Sequence, residues 1–205
     1  MDYKTLATKE SVDKTIAALA TKNVEAIVVA DKAEALAKIK ELIPAGASVM
    51  NGASVTLEQI GFVDYLKEGT HGWNNLHDAI LAEKDPAKQA ELRKRSVLSD
   101  YYLGSVHGLA ETGEFVIASN TGSQLPHIVF TSPNLIFVVS TKKIVPTLPE
   151  AYARLMSHVV PLEDVHMKEK YGTGTAVNKI VTFNNENPMM GRKVRVILVD
   201  EDLGF

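Results

Sequence analysis

The first 51 residues alternate two helix patterns with two short apolar runs, and no other feature restricts the fold of the chain as much. Val12, Ile16, Leu19 and Ala20 recur at helical spacing, and Asn23 closes that run. Val24–Ala30 (VEAIVVA) then reads as a buried strand. Asp31, with Glu34 three residues on, is a capping box for a second helix whose inner face is Leu36, Ile39 and Ile43. Pro44-Ala-Gly46 stops it, and Ala47–Met50 is a second strand running into Asn51-Gly52. Parallel strands need a crossover between them, and a helix is the usual one. Helix, strand, helix and strand on short connectors therefore predict a parallel α/β layer.

The rest of the chain continues the theme. Thr56, with Gln59 three residues on, is again a capping box, so a helix is expected from about Leu57. Phe62 to Gly104 carries no strand signal. Asp85-Pro86 pairs an N-cap with proline at the first helical position. A helix is expected from there to about Leu103, with Ala90, Val97 and Tyr101 inward and Gly104 closing it. Strands are expected at Gly108–Ala110, Phe115–Ala118, Ile128–Thr131 and Leu135–Ser140. Thr147 caps a helix that opens with Pro149 and carries Ala151, Leu155 and Val159; Pro161–Tyr171 also reads as helical. Ile180–Phe183 and Val194–Val199 are the last strands. With no internal repeat or low-complexity stretch, residues 1–205 read as a single α/β domain. It has an open, mainly parallel sheet flanked by helices. The segment 62–104 is a helical excursion that serves as a lid, an interface or plain scaffold.

Charge and composition exclude several classes of function. The net charge of −3 offers nothing to a polyanion, so no nucleic-acid partner is expected. The cluster Arg93-Lys94-Arg95 shares a helical run with Glu91 and reads as a solvated face. The chain has no cysteine, which removes disulfides, thiolate-ligated zinc and any iron–sulfur cluster held by this chain. The histidines at 71, 77, 107, 127, 158 and 166 form no H-x-x-x-H or H-E-x-x-H pair, so no metal site is expected. No apolar run approaches the roughly 20 residues that span a bilayer, and the N-terminal residues lack the apolar core of a signal peptide. A soluble, cytoplasmic protein without a membrane partner is the expectation.

Four stretches carry candidate chemistry, each with a plainer alternative. Asn51–Gly61 joins a strand end to a helix start, where free N–H groups and the hydroxyls of Ser54 and Thr56 suit an anion. Alternatively Gly52 only turns and Thr56 only caps. In Gly108–Gly122, Glu111 stands at a turn between apolar strands, a position for a general base or nucleophile. The alternative is a tight hairpin in which Thr112-Gly113 supplies the positive φ and Glu114 is the solvent-facing partner of a salt bridge within the hairpin. Asn120–His127 is a polar loop with Asn120, Thr121, Ser123 and Gln124, more side-chain hydrogen-bonding groups than a plain turn requires, leading to His127, for which a buried, hydrogen-bonded core histidine is the simpler reading. Gly172–Lys179 lacks the last glycine of a dinucleotide fingerprint and follows a helix, so it is at most an anion cradle with Lys179 as counter-charge. His71-Gly-Trp73 suits a mobile lid or an interface anchor, but core packing is the simpler reading.

Taken together, S-V-T-L-E-Q-I-G, G-L-A-E-T-G-E-F-V, S-Q-L-P-H-I with I-V-P-T-L-P-E-A, the Gly/Thr loop and V-R-V-I-L-V-D resemble the LUD-domain family, the LutC/YkgG-type lactate-utilisation proteins. They stand in family order over about Met50–Asp200. The resemblance implies a fold similar to the NagB/RpiA/CoA-transferase-like superfamily. Carried over by motif, the ligand-binding positions are Gly52, Ser54, Thr56, Thr112, Gly113, Asn120, Ser123, Pro126, His127, Gly174, Thr175 and Lys179, with Glu111 as the catalytic one. Asn178 stands where the family more usually has an acidic residue.

The same resemblance implies a non-redox subunit or accessory protein in the oxidation of L-lactate to pyruvate, beside iron–sulfur partner proteins and with no cofactor of its own. An alternative is a stand-alone isomerase or acyl-transfer enzyme for a phosphorylated or CoA-linked substrate, with Glu111 as base or nucleophile. A ligand-binding regulator without chemistry ranks last. The partners implied are a small anionic metabolite (carboxylate or phosphate), an iron–sulfur protein and, as a further option, a second copy of the chain in a homo-oligomer.

Overall fold

A computed structural model describes residues 2–205. The first half of the chain runs α1 (Lys9–Thr21), β1 (Val24–Val29), α2 (Lys32–Leu42), β2 (Ser48–Asn51), α3 (Val55–Gln59), α4 (Phe62–Glu68), β3 (Asn74–Asn75), α5 (Leu76–Ala82), α6 (Pro86–Arg95) and β4 (Tyr101–Gly104). The second half runs β5 (Gly108–Ala110), β6 (Phe115–Ser119), β7 (Asn134–Ser140), β8 (Ile144–Val145), α7 (Leu148–Arg154), α8 (Val160–Tyr171), β9 (Lys179–Phe183) and β10 (Lys193–Val199). Local chemistry explains the early boundaries. Asn23, at φ 58°, ends α1. Asp31 accepts from the Ala33 and Glu34 N–H groups at 2.9 Å, while Glu34 reaches back to the Ala30 N–H at 2.8 Å.

Six strands form an all-parallel sheet in the order β1-β10-β7-β4-β2-β3. Its central strands are buried on both faces, which is why they read as unbroken apolar runs. Leu135, Phe137 and Val139 of β7 pack on one side with Val12 and Leu19 of α1 and with the second sheet. Ile136 and Val138 pack on the other with α2, α3, α4 and Trp73. The Trp73 indole donates to Ile43 O at 3.1 Å and its ring stacks on His71, so this pair belongs to the core.

A second, four-stranded sheet, in the order β8-β5-β6-β9, lies over the first. A file of aromatic rings joins them. Phe115 of β6 lies 5.3 Å from Phe137 of β7 and stacks on Phe183 of β9 at 4.6 Å. The other face of this sheet is closed by Ala151 of α7 and by Leu155 and Val159, on a π-helical turn that leads into α8.

The open parallel α/β sheet follows the sequence reading, but three local expectations do not hold. The helix from Pro86 stops at Arg95, and Tyr101–Gly104 is a central strand. Asp100 supplies the reason: its carboxylate accepts from the Ser48 N–H and hydroxyl at 2.8 and 2.6 Å, tying the segment alongside β2. Ile128–Thr131 lies in a π-helical turn, His127–Thr131, rather than a strand. Val129 and Phe130 are exposed there while His127 and Ile128 are buried, and so short an apolar run cannot be assigned by periodicity alone. Finally, Ser54 caps α3, accepting from the Leu57 N–H at 3.3 Å, and Thr56 sits inside the helix. Among the described residues no helix is long and apolar enough to cross a membrane.

Strand order locates the cleft. β2 is followed by β3 on its outer side, whereas β4 is followed in the main sheet by β7 on its inner side. Neighbouring strands whose connections depart in opposite directions leave a crevice at their carboxyl ends, the usual ligand position in open α/β sheets.

Candidate functional site

Because β2, β4 and β7 are parallel, the loops after them meet at one edge of the sheet. Asn51–Ser54, Ser105–His107 and Lys143 converge there with the end of β6, with its following loop to Gln124, and with side chains from α5, α6 and α8. They enclose a cavity of about 500 Å³. The excursion thus supplies one wall, through His77, Ile80 and Arg93. Gly52 is required at the crevice. A Cβ there would collide with the Tyr102 hydroxyl and lie 2.9 Å from Gln124 Oε1.

The dominant electrostatic feature is Lys143, only 4% exposed and placed just beyond the end of β7. Its Nζ donates to Thr56 Oγ1 and Ser105 Oγ, both at 3.0 Å, and to Val106 O at 3.4 Å. All three partners are neutral, and among the described residues Lys143 takes part in no ion pair. Burial pushes its ammonium well below the ordinary lysine range, and the nearby Arg154 and Lys142 charges push the same way. Arg154 is itself fully buried. It donates to His107 O at 2.5 Å, while its Nε and Nη2 have no hydrogen-bond partner, and burial lowers it to about 10. Lys142, in contrast, is ion-paired with Asp202. Lys143 is therefore the lysine in the lining whose hydrogen-bond partners are all neutral.

Two histidines line the cavity in the neutral form. His107 Nδ1 accepts from the Ala118 N–H at 3.1 Å, and desolvation, with Lys143 and Arg154, lowers it to about 3. His127 Nδ1 meets the hydroxyls of Ser99 and Ser132 at 3.1 and 3.0 Å, and its ring stacks on Tyr102 at 4.7 Å. Burial lowers His127 from 6.5 to about 4. Its contribution to stability is whole above pH 6.5. It is lost as the pH falls toward 4, because over that range only the unfolded chain takes the proton. The expected slope is about 1.4 kcal/mol per pH unit. Urea unfolding between pH 7 and 4 should show a steeper loss in the wild type than in His127→Gln, where only the same-signed share of His107 and of the other titrating groups remains.

The acids in the lining differ in state. Glu58 is paired with Lys170 at 2.8 Å, whereas Glu163 on α8 is in no ion pair among the described residues, and burial pushes its carboxyl up. Asn51 Oδ1 is buried without a hydrogen-bond partner.

Of the positions anticipated from sequence, Gly52, Ser54, Thr56, Asn120, Ser123, His127 and Thr175 all line this cavity. Pro126, Gly174 and Lys179 do not; Lys179 lies against Gly122 on the outside. Glu111, Thr112 and Gly113 also lie outside the lining. Glu111 accepts from the Ser11 hydroxyl at 2.7 Å and pairs with Lys14 at 2.6 Å, contacts that hold its carboxyl below the ordinary range. Glu114 pairs with Lys22 at 2.7 Å, and Gly113 takes the positive φ of the turn. The tight turn of the hairpin alternative is thus present, but the partner of Glu114 comes from the end of α1 and not from the hairpin, and Glu111 is tied to α1 in the same way. Glu111→Gln is expected to lower stability by no more than about 1 kcal/mol and to leave ligand affinity unchanged, measured by denaturant unfolding and by titration calorimetry.

Lys143, His107, Ser105, Tyr102 and Glu163 were not singled out as site residues from sequence, and Asn51 only as the start of the stretch Asn51–Gly61. The signal for Lys143 was available: S-T-K-K follows an apolar strand, at the edge where α/β sheets bind ligands.

A family model for the LUD domain matches residues 12–183. The crystal structure of a DUF162 family protein from Deinococcus radiodurans is similar, with a TM-score of 0.54 and 15% identity over 95% of this chain and 99% of that one. At that identity the likeness is one of fold. No curated protein matches the chain.

Proposed function

This chain belongs to the LUD-domain family, and from that premise we propose that it serves lactate utilisation as a non-redox subunit whose cavity holds a three-carbon hydroxy or oxo acid. The observation that carries the reading is Lys143, a buried lysine in the cavity lining whose hydrogen-bond partners are all neutral. Lysine is almost never fully buried unless paired, so a ligand carboxylate is the natural complement. Asn51 Oδ1, an acceptor without a donor in the same lining, suits the hydroxyl of a 2-hydroxy acid. A chain without cysteine has no thiolates for an iron–sulfur cluster, so in this reading the electrons of lactate oxidation pass to iron–sulfur partner proteins.

One observation favours a second reading. A cavity of about 500 Å³ is larger than a three-carbon acid fills. A phosphorylated or CoA-linked substrate, handled by an isomerase or acyl-transfer enzyme with Glu163 rather than Glu111 as the acid–base group, would use that room.

Thermal unfolding of the purified protein against L-lactate, pyruvate, sugar phosphates and acyl-CoAs separates the two. A ligand at 100 times its Kd adds about 2.7 kcal/mol, which at this chain length raises the midpoint by roughly 5–10 °C. The shift is expected with lactate or pyruvate. A shift confined to phosphates or CoA esters replaces the first reading by the second. Lactate oxidation with an artificial electron acceptor by the isolated, colourless chain would sink the non-redox role.

A further inference from the structure

We propose that Lys143 is a covalent site for 2-oxo acids, its Nζ condensing with the carbonyl carbon of a pyruvate-type ligand to hold it as an imine. The proposal rests on the reading that a small oxo acid occupies the cavity, and it adds what the lysine does there. A point charge for binding would do as well at the rim, where it costs little desolvation. This amine instead stands 96% out of solvent, behind Thr56, Ser105 and the Val106 carbonyl, with Gly204 packed against it so closely that a Cβ there would lie 2.9 Å from Nζ.

The hydrogen-bond pattern suits an amine as well as an ammonium. Ser105 spends its own hydrogen on Val138 O at 2.7 Å, so toward Lys143 it only accepts, as does Val106 O. Those two take the N–H groups of a neutral amine, and the Thr56 hydroxyl can rotate toward the lone pair or away from it. A desolvated lysine beside other cations is the usual way to obtain an amine nucleophile at neutral pH, and Arg154 and Lys142 provide those charges.

The step balances without an oxidant. The nitrogen lone pair forms the C–N bond, the carbonyl oxygen takes a proton, and the carbinolamine then loses water to leave the imine. In this proposal Glu163, which lines the same cavity and is in no ion pair among the described residues, protonates the departing hydroxyl directly or through water. The imine nitrogen gains a proton on forming the iminium, and the ligand's own carboxylate then faces a fixed positive charge.

The test is reductive trapping. The intact protein is incubated with pyruvate and sodium borohydride, and its mass and peptide map are compared with a parallel incubation containing L-lactate, which has no carbonyl. One reduced pyruvate adduct per chain is expected on the peptide containing Lys143, none with lactate, and none in Lys143→Met. Mapping the wild-type adduct does not depend on that variant folding. A pyruvate-induced thermal shift without an adduct on Lys143 overturns the imine and leaves the binding reading standing. Adducts scattered over exposed lysines also overturn it. Neither shift nor adduct overturns both.

Discussion

Lys143→Met is expected to cut the ligand-induced rise in unfolding midpoint to about half or less. A hydrogen bond to a charged group contributes about 1.5–3 kcal/mol, so affinity should fall roughly ten- to a hundredfold. The midpoint of the unliganded protein should stay level or rise. Methionine keeps the length of the side chain, and replacing a buried uncompensated charge by an apolar group of similar volume is often neutral or stabilising. That combination, a protein no less stable that no longer responds to ligand, distinguishes a functional lysine from a structural one. Equal shifts in wild type and variant would mean that the ligand is held elsewhere. A large loss of stability would mean that the three contacts to Thr56, Ser105 and Val106 hold α3 to the β4–β5 connection.

Phe137→Ala is expected to be the most destabilising single truncation in the core, at about 3–5 kcal/mol. For a chain of this length that corresponds to a fall in midpoint of roughly 6–20 °C. Phe137 is fully buried in the middle of β7, between β10 and β4, and its ring meets Phe115 of the second sheet. Removing it opens a void where the two sheets join, and stiff strands on both sides cannot collapse to fill it. Calorimetry on the variant checks the size. A loss below about 1 kcal/mol would show that the sheets are held together elsewhere along the interface.

The elements read from sequence were those with a local cause. Asp31 and Glu34 cap α2 through atoms a few residues apart, and the apolar runs of β7 and β10 need no partner to be recognised as buried strands. β4 escaped because its cause is remote: Ser48 holds Asp100 from across the sheet, and four residues after a helix carry little pattern of their own. The strands β5, β6 and β9 were expected from sequence, but β8 and their assembly into a second sheet were not, for the same reason. β5 and β8 are three and two residues long and gain their pairing only once the hairpin and α7 are in place.

The site divides in the same way. Gly52, Ser54 and Thr56 were legible because a strand end followed by a helix start is a local pattern with a known position in α/β sheets. Glu111 looked equally favourable in one dimension, and only the fold brings Ser11 and Lys14 against it. Lys143 was the reverse case, unremarkable in the string S-T-K-K and decisive in space. The sequence by itself determined a parallel α/β chain, because periodicity, capping and strand direction are short-range properties, and its motifs carried the likeness to the LUD-domain family. Only the tertiary structure decided which charge stands at the carboxyl edge of the sheet without a partner, because whether a charge is neutralised depends on side chains 38 to 87 residues apart that meet only after the strands have paired.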